Sequence, residues 1–277
     1  MQYVLFFIGV AVFSVCQCLF TAAVCGQKRF RITLCLSYIL PVILLISLFS
    51  ESKSPDISCL LPISAASFIP GFVVPLILIF RGNTPCDTKN TFKLICLTAS
   101  SAFVWIASYF KVSVFTMLFC ALLYAAYLIF TDENKTSEIS RQPFRVYSIL
   151  FSVPGIALGC VMTVKYSIIL TSGTVPVRYA VLLITALCGG FSFIYLKDRL
   201  NMSRLFDISA GLILLGFPSC RILRSTAVLI PESIFRTEIP FMLMLYLLLT
   251  SAAIIGKKHT RVLGIIMLLL FLVRICL

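Results

Sequence analysis

The sequence predicts an all-α integral membrane fold of about ten transmembrane helices, arranged as two inverted five-helix repeats. Three observations predict it. Ten apolar stretches follow one another, five on each side of one short hydrophilic segment at 131–145. The composition is 60% hydrophobic and only 12% charged, with a mean hydropathy of +1.08, which excludes an ordinary soluble domain. Basic residues crowd into alternate gaps between the apolar stretches, which orients the chain. Cut into ten spans, 277 residues leave almost nothing for an extramembrane domain. Any function therefore sits in the bundle.

The spans read 3–24, 32–50, 58–80, 94–110, 112–130, 146–164, 179–196, 206–231, 239–256 and 262–277. Each approaches the ~20 residues that a helix needs to cross ~30 Å of hydrocarbon, the fourth and tenth being short. For the first span, a cleaved signal peptide ending near Thr21-Ala22-Ala23 is the alternative; the start Met1-Gln2-Tyr3 lacks a basic n-region, which favours a retained span. Only Lys111 parts the fourth span from the fifth. One helix from Phe92 to Phe130 would run roughly 58 Å, twice the membrane thickness, so a tight hairpin with Lys111 snorkelling outward is predicted. In the sixth, Gly155-x-x-x-Gly159 lets a neighbouring helix approach closely. The eighth is interrupted by Pro218 and carries Arg221 and Arg224.

Orientation follows from the basic residues. One side collects Lys28, Arg29 and Arg31; Arg81, Lys89 and Lys93; Lys135, Arg141 and Arg145; Lys197, Arg199 and Arg204; and Lys257, Lys258 and Arg261. The other has Lys53, Lys111, Lys165, Arg178 and Arg236. This fifteen-to-five bias places both termini outside the cytoplasm or in an organelle lumen, and residues 131–145 inside. The domains are then a first membrane repeat at 1–130, a cytoplasmic linker at 131–145 and a second repeat at 146–277, inserted in the opposite sense. The net charge of +13 fits anchoring against anionic headgroups better than a nucleic-acid partner, because the Lys and Arg are scattered between apolar runs. The sequons at Asn134 and Asn201 fall on the cytoplasmic side and should be unused.

Little chemistry is on offer. Most of the 12 cysteines lie within apolar stretches, no C-x-x-C occurs, and the one histidine, His259, sits between Lys258 and Thr260. No nucleophile–base pair, phosphate-cradling loop, metal cluster or cofactor motif is present, so an enzyme is not expected. Charges within a bilayer are costly and mark pathways. They concentrate in two irregular stretches: Ser50 to Asp56, with Glu51, Ser52 and Lys53, and Gly216 to Thr226, with Pro218, Ser219, Cys220, Arg221 and Arg224. Matched breaks in two inverted halves point to a midplane site, where helix ends and bared carbonyls become ligands. The plainer alternatives are a loop with Asp56 as a helix N-cap and an ordinary proline kink.

Several segments resemble the cation/Ca²⁺ exchanger superfamily, especially its organellar sodium/calcium exchangers. They are Pro55-Asp56, then Ile63-Ser64-Ala65-Ala66-Ser67-Phe68 and Phe72-Val73-Val74, then Thr91-Phe92-Lys93-Leu94 and Leu122-Leu123-Tyr124-Ala125-Ala126-Tyr127-Leu128. In the second half the likeness continues in Gly211-Leu212-Ile213-Leu214-Leu215-Gly216-Phe217 and Arg261-Val262-Leu263-Gly264-Ile265. The resemblance implies ten spans in two inverted halves and antiport of Ca²⁺ against Na⁺ or H⁺. It implies ion ligands at Glu51, Ser52 and Asp56 of the first half and Ser219 and Cys220 of the second, near the membrane middle.

The acidic motifs of that family are largely lost here. Its Gly-Asn-Gly-Ala-Pro-Asp is replaced by Glu51-Ser52-Lys53-Ser54-Pro55-Asp56, and its Gly-Asn-Ser by Pro218-Ser219-Cys220 followed by Arg221. Calcium wants six to eight hard oxygens. A divalent ion ~6 Å from Arg221 or Arg224 would be repelled by roughly 5 kcal/mol at an effective dielectric of ~20. Lys53, Arg221 and Arg224 are therefore read as charge-neutralising candidates, a basic–acidic pair standing where an ion would bind. Two alternatives stay open. Leu196-Lys197-Asp198-Arg199-Leu200 with residues 211–216 resembles the drug/metabolite transporters, whose termini are cytoplasmic. A non-transporting membrane scaffold of exchanger fold also accommodates the missing carboxylates.

Overall fold

The structure, a computed structural model, describes residues 2–24, 43–44, 55–82, 84–110, 113–131, 146–171, 202–218, 234–256 and 258–276. The predicted second and seventh spans fall outside these residues, apart from 43–44. The described helices are α1 (Gln2–Val24), α2 (Pro55–Phe68), α3 (Val74–Arg81), α4 (Thr88–Ser108), α5 (Val114–Phe130), α6 (Val146–Thr171), α7 (Met202–Gly211), α8 (Ile239–Gly256) and α9 (Arg261–Cys276). Two short strands, β1 (Thr84–Pro85) and β2 (Lys258–His259), pair antiparallel with Thr84 opposite His259. Among the described residues four helical stretches are long and apolar enough to cross a membrane: Pro62–Arg81, Thr88–Ser108, Tyr147–Tyr166 and Arg236–Gly256. Apart from that strand pair, the regular elements of the described residues are helical, as suits an integral membrane protein.

Helix ends explain where the predicted spans move. The fourth begins six residues earlier than its apolar run, at Thr88, because Asp87 caps it, its carboxylate accepting from the Thr88 N–H at 3.0 Å. The first turn is polar and helical at once, so hydropathy alone misses it. A break between Ser108 and Val114 separates the two helices; the turn predicted at Lys111 lies outside the described residues. Ser113 restarts the chain with a capping box: its Oγ accepts from the Thr116 N–H at 3.2 Å, and Thr116 Oγ1 accepts from the Ser113 N–H at 3.4 Å.

Among the described residues three π turns interrupt the helices: Ile69–Val73 between α2 and α3, Leu212–Gly216 after α7, and Ile234–Glu238 before α8. Each ends two residues before a proline, at Pro75, Pro218 and Pro240 respectively. Proline cannot donate to the carbonyl four residues back, and its ring clashes with it. That carbonyl belongs to Gly71, Leu214 and Arg236, each inside its π turn, where the widened turn moves it aside.

The chain divides into two compact units. One comprises Met1–Leu61 and Asp132–Leu200, the other Pro62–Thr131 and Asn201–Leu277. In the first, α1 lies along α6, with Phe6, Val10 and Phe13 buried on one helix and Ile156, Cys160 and Val164 on the other. The close approach expected of Gly155 and Gly159 is found. A Cβ on Gly159 would stand 2.6 Å from the Phe13 backbone nitrogen, and one on Gly155 would stand 2.2 Å from Cys16 Sγ. Gly9 answers from α1, where a Cβ would come within 2.7 Å of Met162 Cβ.

In the second unit α4 packs on α8, α3 on α9, and α4 and α5 on α7 and the π turn that follows it. Phe68, Phe72 and Phe241 gather around Phe271, which fills the space a side chain on Gly71 would need. Large apolar side chains such as Phe115, Leu122 and Phe130 on α5 remain exposed, as suits a surface whose solvent is lipid.

Candidate functional site

The second unit buries a charged cluster. On α7, Ser203 and Asp207 stand four residues apart and so on one face. Lys93 comes from the second turn of α4, and Tyr127 from the last turns of α5. The Lys93 ammonium sits astride the Asp207 carboxylate, 3.1 Å from Oδ1 and 3.2 Å from Oδ2, and also donates to Ser203 Oγ. The Tyr127 hydroxyl donates to Asp207 Oδ1 at 2.8 Å. Lys93 is 1% exposed and Asp207 2%, so each charge offsets the cost of burying the other.

Neighbouring hydroxyls continue the polar seam within the same unit. Thr250 on α8 donates to the Leu94 carbonyl at 3.3 Å and to the Tyr246 carbonyl at 2.8 Å, while its oxygen lies 2.8 Å from Thr98 Oγ1 on α4. Tyr246, fully buried, donates to the Ala66 carbonyl at 2.9 Å, just ahead of the first π turn. Arg274 on α9 pairs with Glu238 at 2.9 Å and lies over the Phe241 ring. Among the described residues no three His, Cys, Asp or Glu side chains come together as metal ligands. The arrangement holds a cation by a carboxylate and a hydroxyl; it contains no nucleophile–base geometry.

Of the residues singled out in the sequence, Glu51, Ser52, Lys53, Ser219, Cys220, Arg221 and Arg224 lie outside the described residues. Asp56 is the second residue of α2, which opens with Pro55 at its first position. It is thus a first-turn residue rather than an N-cap. The described helix of the eighth span continues through Pro218, which is buried. The buried basic–acidic pair expected of Lys53, Arg221 or Arg224 lies outside the described residues; within them, Lys93 and Asp207 form a buried pair that was not expected. By its place in the sequence Lys93 belongs with the headgroup anchors. The signal that could have found it is its setting, Phe92-Lys93-Leu94, where apolar neighbours leave an inward face, together with Ser203-x-x-x-Asp207 at helical spacing.

No protein-family model and no curated protein sequence matches the chain. Solved structures do. The H⁺/Ca²⁺ exchanger CAX matches with a TM-score of 0.79 at 15% identity, over 100% of this chain and 81% of that one. The sodium-calcium exchanger NCX_Mj, soaked with 100 mM Na⁺ and 10 mM Sr²⁺, matches at 0.70 and 18% identity, over 99% and 97% of the two chains. The same exchanger in 2.5 mM Na⁺ and 10 mM Sr²⁺ gives 0.68 at 18% identity, over 99% and 97%. From end to end, the chain has the fold of cation/Ca²⁺ exchangers.

Proposed function

We propose that the chain is a secondary-active transporter of the cation/Ca²⁺ exchanger type whose ion-binding motifs have degenerated. The observation that carries this reading is the end-to-end likeness in fold to two cation exchangers of different coupling, one H⁺/Ca²⁺ and one sodium-calcium. The coupled ions would be Ca²⁺ with Na⁺ or H⁺, and the bilayer its medium. Glu51, Ser52, Asp56, Ser219 and Cys220 are the proposed ion ligands. Transport would proceed by alternating access.

The proposed ten spans form two inverted repeats, 1–130 and 146–277, joined by a cytoplasmic linker. The packing within each unit supports the repeat. In the second unit, α3 on α9 has its counterpart in α7 and its π turn on α5, with the pair α4 and α8 between them; in the first, α1 and α6 pack on each other. These are the pairings that a twofold exchange of the repeats would generate. The fifteen-to-five charge bias supports lumenal or extracellular termini. Cysteine-accessibility mapping should find residues 131–145 on the cytoplasmic side; cytoplasmic termini would favour the drug/metabolite transporter reading.

Calcium transport is proposed to be impaired, because Asp56 and Glu51 share the chain with Lys53, Arg221 and Arg224 where the exchangers carry acidic motifs. A non-transporting scaffold of the same fold is the second reading, favoured by the internally neutralised Lys93–Asp207 pair. Proteoliposomes assayed for sodium- or proton-driven radioactive calcium uptake decide between them. Weak uptake abolished by Asp56→Asn supports the degenerate exchanger; uptake indistinguishable from empty vesicles supports the scaffold. Robust uptake would refute the impairment.

A further inference from the structure

We propose that the β1–β2 pair builds a binding site for the headgroup of an anionic phospholipid, with Arg81 and Arg261 as its recognising groups. The strands tie the α3–α4 connection to the α8–α9 connection, Thr84 opposite His259 and Pro85 opposite Lys258. Arg81 is the last residue of α3 and Arg261 the first of α9. Gly82 follows Arg81 and closes α3 at φ 81°, its N–H bonded to the Leu78 carbonyl at 3.0 Å. The Arg261 side chain rests on this glycine: a Cβ there would stand 3.2 Å from Nε and 3.3 Å from Nη2. Only glycine takes this conformation freely and leaves the guanidinium its place. Arg261 is thus held against the residue next to Arg81, although the two come from opposite ends of the sequence.

The second support is the charge gathered at this edge. Arg81, Lys89 and Arg261 are all exposed, and Lys258 lies on β2 itself. The neighbouring α8 brings no charged side chain. The exposed carboxylate here, Asp87, accepts the Thr88 N–H as the cap of α4. Among the described residues Arg261 and Lys89 form no ion pair. An edge of one sign attracts counter-ions, and the planar fork of an arginine matches phosphate oxygens two at a time.

The third is the apolar rim, which selects a lipid over a dissolved phosphate. Phe80 precedes Arg81, Val262 follows Arg261, and both are exposed, as are Ile255 at the end of α8 and Phe92 on α4. A free anion gains nothing from these side chains, whereas a phospholipid sets its phosphate on the arginines and its acyl chains along the apolar surface. Basic clusters between membrane helices hold anionic headgroups in this way. A zwitterionic headgroup would bring its own ammonium into the same cationic edge, so a net negative one is selected. The rival reading is that Arg261 serves the end of α3, where a cation is favoured by the helix dipole. That role would act without any lipid.

The test is native mass spectrometry of the full chain in an uncharged detergent, offered equal amounts of phosphatidylglycerol and phosphatidylcholine with matched acyl chains. The wild type should retain phosphatidylglycerol about tenfold or more in preference. Arg81→Gln combined with Arg261→Gln should bring the two lipids close to parity. Arg236→Gln, beyond the opposite end of α8, should leave the preference unchanged and so separates a site from net charge. In lipid-free detergent the paired variant should unfold within about 2 °C of the wild type, since substitutions of exposed side chains change stability little. The proposal is overturned if the paired variant keeps the preference, or if Arg236→Gln loses it equally. It is overturned if excess inorganic phosphate displaces the lipid, which would make this a site for a free anion. It is overturned, in favour of the dipole reading, if the paired variant is markedly destabilised without lipid or cannot be recovered folded. None of these outcomes depends on transport, which the vesicle assay tests separately.

Discussion

Tyr127 reaches Asp207 at 2.8 Å while its ring stacks on Tyr124, centroids 6.4 Å apart. Tyr127→Phe keeps the stack and deletes the donor. Hydrogen bonds inside membrane bundles contribute less than the 1.5–3 kcal/mol seen with charged partners in water, so a loss of about 1 kcal/mol is expected, read as a lower unfolding midpoint. His259 offers a second test at this scale. It is 2% exposed in β2, and among the described residues neither ring nitrogen has a hydrogen-bond partner. Burial lowers its pKa below the ordinary 6.5. The unfolded chain then takes up a proton at a higher pH than the folded one. Stability held by the neutral ring is complete above about pH 6.5 and is lost as pH falls through the lowered value. His259→Phe should flatten the dependence of the unfolding midpoint on pH between 5 and 7; an unchanged slope would assign it to other groups. Neither residue's role was legible beforehand. A tyrosine in Leu-Tyr-Ala-Ala-Tyr-Leu and a histidine between Lys258 and Thr260 look like filler until their surroundings are known.

At the scale of the helix, the glycines separate packing from mere permissiveness. Gly159→Ala must push against the backbone of Phe13 and should cost about 1–3 kcal/mol, with α1 and α6 forced apart. Gly256→Ala, at the end of α8 with nothing within 4 Å of the added carbon, should be neutral or slightly stabilising. Equal unfolding midpoints for the two variants would remove the close-packing argument. The helices themselves were largely legible, since apolar runs of membrane length leave few alternatives; α8 begins and ends where the sequence placed the ninth span, at Ile239 and Gly256. The π turns were not. Prolines announce a disturbance in a helix but do not say how it is absorbed: Pro62 and Pro154 sit inside α2 and α6, whereas Pro75, Pro218 and Pro240 each follow a widened turn. The choice depends on what surrounds the displaced carbonyl, and a sequence does not list neighbours.

For the whole molecule, the helical membrane character was readable because bilayer thickness constrains apolar runs so tightly. The site was read from matched helix breaks and motif likeness, neither of which could reveal that Lys93 and Asp207, 114 residues apart, would meet. Both compact units draw on both halves of the chain. Residues 1–130 and 146–277, produced as separate polypeptides, should consequently resist protease only when made together, and a first half that is resistant alone would contradict this. The same pairing sets a clock on synthesis. At five to twenty residues per second, Lys93 emerges on the order of ten seconds before the carboxylate that will neutralise it. During that interval the nascent chain carries a lysine whose carboxylate partner Asp207 is not yet made, and a buried charge short of its pair is costly. Asp207→Asn prolongs the interval indefinitely, so its first symptom should be a shortened lifetime of the newly made protein, before any loss at the site itself is measured.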